Sequence, residues 1–187
     1  NEINGIFSYD KLVIAVGGKS FVPNIEGYSP NLENVFTLSH AESAFKIKEY
    51  LTQNKNKLKN AVVIGAGFVG IEMAESFQKN GLDVTVIEKA KEIFPTISEN
   101  LKEKIYKKFK EKDINLKLNS GVIAINSENN VAKSVKLDSS ENIDFDIALF
   151  SIGVTPNIDF LPKTLKTDSG KIVVNDKFET NIDDVYA

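Results

Sequence analysis

The run Val62-Val63-Ile64-Gly65-Ala66-Gly67-Phe68-Val69-Gly70, followed by Asp83-Val84-Thr85-Val86-Ile87-Glu88, constrains this chain more than any other feature. An apolar, β-branched stretch stops on the first of three glycines in G-x-G-x-x-G spacing, a helical period begins, and a second apolar strand ends on an acid. The glycine spacing alone is weakly specific; the strand–turn–helix–strand–acid context raises it to a dinucleotide-binding signal. Gly65 permits the tight turn, Gly67 lets backbone approach a pyrophosphate without a Cβ between them, and Gly70 allows close packing of helix on sheet. Gly65, Ala66, Gly67, Phe68, Val69 and Gly70 are therefore expected to cradle a pyrophosphate, with free amides and the helix dipole favouring its charge. Glu88 is placed to accept both hydroxyls of an adenosine ribose and to repel a 2′-phosphate, so NADH is expected over NADPH; Lys89 beside it softens that choice. A flavin in the same site, or a structural glycine turn with a surface glutamate, are the alternatives.

Around this motif, apolar strand-like runs alternate with helical periods, the pattern of an α/β layer fold. Lys11–Val16 reads as a short buried strand ending on Gly17-Gly18, followed by an irregular linker with Pro23, Gly27 and Pro30. Ser39-His40-Ala41-Glu42 has capping-box spacing, and Ala41, Ala44, Phe45 and Leu51 recur at helical intervals after it. Phe68–Asn80 is expected as a helix with Val69, Met73, Ala74 and Phe77 inward and Gly81 beyond its end; Ser98 is expected to cap a helix carrying Leu101, Ile105 and Phe109. With Ile114–Leu118 as the next strand, this makes a β-α-β-α-β run. Val122–Ser127, Val131–Asp138 and Ile143–Ile152 then read as an antiparallel meander whose last strand returns to the parallel sheet, broken at Gly153–Asn157; Lys171–Val174 is one more short strand. The expected fold is a Rossmann-like parallel sheet flanked by helices, with a β-meander.

Composition narrows the function. The chain of 187 residues is 42% hydrophobic and 26% charged, with net charge −3, no cysteine and a single histidine, His40. Disulfides and thiolate chemistry are thereby excluded within these residues, and with one histidine neither a His-based triad nor a metal site is expected. Lys102–Lys112, interleaved with Glu103 and Glu111, reads as a solvated helix face, and no broad basic face for nucleic acid is present. His40 reads as a structural residue beside a helix cap. No apolar run reaches the ~20 residues of a membrane span, and Asn1-Glu2-Ile3-Asn4 has no secretory character. A cytoplasmic protein with no membrane or nucleic-acid partner is expected.

Four segments in order, Tyr9–Gly18, Val62–Glu72, Asp146–Asn157 and Thr180–Ala187, resemble the pyridine nucleotide–disulfide oxidoreductase family. The resemblance is to its branch of NADH oxidases, NADH peroxidases, coenzyme A-disulfide reductases and ferredoxin- or rubredoxin-linked reductases. It implies flanks 1–32 and 155–187 from an FAD domain around an NADH-binding domain at 33–154, with the remaining flavin and interface domains elsewhere in the same polypeptide and a homodimeric parent. It also implies that Glu72 and Gly153 lie near the nicotinamide, that Val122 and Ile152 join the NADH contacts, and that Val16 and Gly17 lie at the flavin edge. The family's A-T-G is Ala15-Val16-Gly17 here, which puts the threonine's polar contact in doubt. On this reading the chain is an excised central segment, inactive alone, that delivers hydride from NADH to FAD in its parent; the terminal acceptor is set elsewhere. A stand-alone NAD-binding or sensing module is the alternative. A dehydrogenase with its own substrate site lacks a catalytic acid–base set in these residues.

Overall fold

Ala61-Val62-Val63-Ile64 offers no polar side chain to solvent, and all four residues are buried. That burial on both faces is the signature of a central parallel strand. In the computed structural model, which describes residues 5–187, it is the middle strand of a five-stranded parallel sheet. The expectation made for Asn1–Asn4 lies outside the described residues.

The chain forms two compact units, Ser20–Gly153 and, together, Asn1–Lys19 with Val154–Ala187. The larger begins before residue 33 because Ile25 and Leu32, from the stretch read as a linker, are buried among Ile125, Ala132 and Phe150. Its elements are β1 (Val35–Thr37), α1 (Ala41–Gln53), β2 (Asn60–Ile64), α2 (Phe68–Lys79), β3 (Asp83–Ile87), α3 (Glu99–Glu111), β4 (Asn115–Lys117), β5 (Val122–Glu128), β6 (Val131–Leu137), β7 (Asn142–Asp144) and β8 (Ile147–Phe150). The parallel sheet has the order β1-β8-β2-β3-β4, and β5-β6-β7 form an antiparallel sheet.

Side-chain alternation divides the core. Ala61, Val63, Val84, Val86, Ile147 and Leu149 face the helices, where Ile47, Ala74, Phe77 and Phe109 meet them. Val62, Ile64, Ile87, Ala148 and Phe150 face the antiparallel sheet and its Ile125, Val135 and Leu137. The α/β class and the meander are as expected; several local details differ. Residues 143–152 are not one strand: β7 ends the antiparallel sheet, Phe145 turns inward, and β8 returns between β1 and β2. The edge strand β1 had no sequence signal. The capping box does not form: His40 is the N-cap of α1 without a side-chain cap, and Glu42 pairs instead with Lys46 at 2.8 Å. Phe45 is 69% exposed while Ile47 is buried, so the inward face of α1 is turned from the one expected. Val69 and Leu101 are likewise exposed, because Gly70 and Lys102 occupy the buried positions next to them.

In the smaller unit Leu12–Val13 pairs in parallel with Val185–Tyr186, and Thr167–Asp168 pairs with Lys171–Ile172. Leu12 and Val13 are exposed rather than buried, since within this unit no element among the described residues covers them. The strand of the parallel sheet ends before Gly153, in keeping with the expected break, and Val154–Pro156 then forms a separate short extended segment.

Candidate functional site

The glycine turn lies at the C-terminal end of β2, flanked by the corresponding ends of β8 and β3. This is the edge at which open α/β sheets bind ligands. Its three glycines differ in what they demand. Gly65 takes φ +104, and a Cβ there would collide with the Ser151 carbonyl oxygen and lie 2.9 Å from the Ile152 side chain. Gly70 is buried on α2, and a Cβ there would collide with the Gly65 carbonyl oxygen. Gly67, the N-cap of α2, has ordinary φ −74, and its nearest neighbour to a Cβ is Ser151 O at 4.0 Å. Internal packing therefore requires glycine at 65 and 70 but not at 67.

No side chain caps α2, and its first turn holds no acid, so the amides of Phe68, Val69 and Gly70 are left without a carboxylate partner from their own helix. Glu72 lies one turn further in, exposed. Glu88 leaves β3 with its main chain fixed on both sides: its N–H donates to Lys117 O at 2.8 Å and its carbonyl accepts from Ser120 N–H at 3.0 Å. Its carboxylate spans the turn, Oε2 accepting from Ala66 N–H and Oε1 from Ala90 N–H, each at 2.8 Å. A carboxylate oxygen has two acceptor directions, so both oxygens keep capacity for a further donor.

A cavity of about 380 Å³ opens here, lined by Gly65, Glu88, Lys89, Val122 and Ile152. Five residues singled out from sequence thus meet at one opening, although they come from four separate stretches of chain. Ser120, Gly121 and Asp138 from the far side of the meander line it as well, as do Pro23 and Asn24. None of these has a local sequence signature, because only the stacking of the antiparallel sheet on the parallel one brings them in. Phe68, largely exposed, stacks on Phe94 with ring centroids 4.5 Å apart, and Phe94 holds φ 43, a backbone region unusual for a bulky residue. Gly153 is exposed with φ +117 at the end of the larger unit, and Val16 and Gly17 belong to the smaller unit, Gly17 at φ +66. Among the described residues no helix is long and apolar enough to cross a membrane.

Comparison with known proteins agrees with this architecture. The chain is 35% identical, over 97% of its length, to an NAD(P)H coenzyme A polysulfide/persulfide reductase of Pyrococcus horikoshii, of which it spans 40%. Its structure superposes with TM-score 0.83 on reduced CoADR-RHD of Bacillus anthracis, at 32% identity, covering 96% of this chain and 31% of that one. A water-forming NADH oxidase from Lactobacillus brevis, solved bound to NADH, gives TM-score 0.80 at 25% identity, covering 96% of this chain and 39% of that one. The chain thus spans well under half the length of these relatives. The family model of the pyridine nucleotide-disulphide oxidoreductases matches residues 4–187, and the chain belongs to that family of FAD- and NAD(P)H-dependent enzymes.

Proposed function

We propose that the Ser20–Gly153 unit is the NADH-binding domain of an FAD-dependent oxidoreductase, and that the segments on either side of it belong to its flavin domain. The observation that carries this reading is the different behaviour of the three glycines. Gly65 and Gly70 are demanded by the protein's own packing, whereas Gly67 leaves an open approach to the uncapped amides of α2. Space kept free over unpaired donors suits a pyrophosphate.

In this reading the amides of Phe68, Val69 and Gly70 hold the pyrophosphate, the Glu88 carboxylate accepts from the adenosine ribose, and Val122 and Ile152 supply apolar walls. Glu72 and Gly153 serve the nicotinamide end. A carboxylate already anchored by two amides cannot swing away from a 2′-phosphate, which supports NADH over NADPH despite the neighbouring Lys89. When bound, the reduced nicotinamide supplies hydride and the flavin of the parent accepts it. The chain's own residues bind and orient; the Val16-Gly17 segment belongs to the flavin edge. The parent is cytoplasmic and homodimeric in this proposal, its remaining flavin and interface domains lying in the same polypeptide. The similarity extends through both flanks rather than stopping at the central domain, which favours this reading over a stand-alone NAD module.

Titration of the chain with NADH tests it. Glu88→Ala is expected to weaken binding about tenfold, the loss of two charge-assisted hydrogen bonds net of their replacement by water. Unaltered affinity would remove the basis of the proposal.

A further inference from the structure

The cavity at the glycine turn contains a second carboxylate with no part in the scheme above. Asp138 follows β6 on the turn toward β7 and lines the cavity together with Glu88 and Lys89. It is held in place reciprocally: Oδ2 accepts from Gly121 N–H at 3.0 Å, and its own N–H donates to Gly121 O at 2.8 Å. A Cβ at Gly121 would lie 2.8 Å from that Oδ2, so any larger residue there would oblige the Asp138 carboxylate to shift. Among the described residues, Asp138 has no cation within salt-bridge distance, and neither does Lys89 an acid. Glu141, on the same turn, is neutralised by Lys117 at 2.9 Å. The wall therefore presents two carboxylates against one ammonium.

We infer that Asp138 is a specificity-determining residue of the dinucleotide site, positioning the Ser120–Val122 wall through Gly121 and adding a second negative charge that disfavours a ligand carrying a 2′-phosphate. The inference rests on the reading of this cavity as an NADH site. NADH and NADPH differ by a dianionic group on the adenosine ribose, and a fixed charge in the same cavity acts on that difference directly. Because the cavity is open to solvent, the effect is moderate and screened by salt.

The test is calorimetric titration of the full chain with NADH and with NADPH, comparing wild type, Asp138→Asn and Glu88→Ala. Asparagine retains an oxygen to accept from Gly121 N–H and removes only the charge. The ratio of NADPH to NADH affinity is expected to rise about 3- to 10-fold in D138N at low salt and to return toward the wild-type ratio near about 0.5 M salt. A residue that merely supported the fold would lower both affinities together, so an unmoved ratio, or a rise indifferent to salt, overturns the assignment. If wild type binds NADH in a Glu88-dependent manner while D138N leaves the ratio unmoved, only the role of Asp138 falls. If wild type binds neither nucleotide, the dinucleotide reading falls and Asp138 with it.

Discussion

Substitution by alanine at the three turn glycines separates folding from binding. Gly65→Ala combines positive φ with a collision against main chain, and Gly70→Ala collides with the turn it packs on; each is expected to cost about 2–4 kcal/mol in urea unfolding. Gly67→Ala meets nothing closer than 4.0 Å and has an ordinary φ. It is expected to cost about 0.5 kcal/mol in stability, the difference between glycine and alanine at an N-cap. The same change is expected to weaken NADH binding about tenfold or more, since a methyl group then stands over the amides. Loss of stability in G67A comparable to that in G65A would contradict this division.

Helix α3 was read from sequence as a solvated lysine face, and the structure makes one exception. Lys102 is 3% exposed and its Nζ meets Glu92 at 2.7 Å and Glu99 at 2.8 Å. This ties α3 to the loop that carries Lys89 and Phe94. The two acids are much more exposed than the lysine, so removal of either side of the pair has unequal consequences. Lys102→Met leaves two solvated carboxylates and is expected to change stability little, whereas E92Q/E99Q removes both counter-charges from a largely enclosed ammonium and is expected to lower the urea midpoint more. Equal costs would argue against that asymmetry. Between α2 and α3, Lys112 at 2.9 Å and then Lys79 at 3.1 Å hold the Glu75 carboxyl below the usual glutamate range. A depressed folded-state value contributes stability that is present above the unfolded pKa and lost as pH falls through the folded one. The melting temperature is therefore expected to fall more on acidification from pH 5 in wild type than in Glu75→Gln, a difference that thermal scans across that range will measure.

Across the larger unit, the antiparallel sheet is fastened to the parallel one by Asn34, which is 1% exposed. Its Nδ2 donates to Ala132 O at 2.8 Å and Asp146 O at 3.0 Å, while its Oδ1 accepts from Ala132 N–H at 2.8 Å. Asn34→Ala removes the side-chain partner of the Ala132 N–H and carbonyl and leaves the Asp146 carbonyl with only the Tyr50 hydroxyl at 3.4 Å, and is expected to cost about 2–4 kcal/mol in denaturant unfolding; Asn34→Asp is expected to be no milder, because a carboxylate has no donor for the two carbonyls. Nothing in the neighbourhood of Asn34 in the chain announces this role, and the same holds for β1, an edge strand completed by its pairing with β8. The glycine turn, the helix after it, the acid at the end of β3 and the α/β class were legible in the sequence because each depends on neighbours within a few residues: a φ only glycine tolerates, a 3.6-residue period, an alternating strand. The capping box at Ser39 failed by the same logic in reverse, since local spacing permits a cap that the helix starting after His40 does not use. Tertiary structure alone decided where residues 143–152 divide, which face of α1 turns inward and that Asp138 and Ser120 share a cavity with Glu88. Those outcomes depend on how one sheet stacks on another, a relation between residues far apart in the chain that no local period encodes.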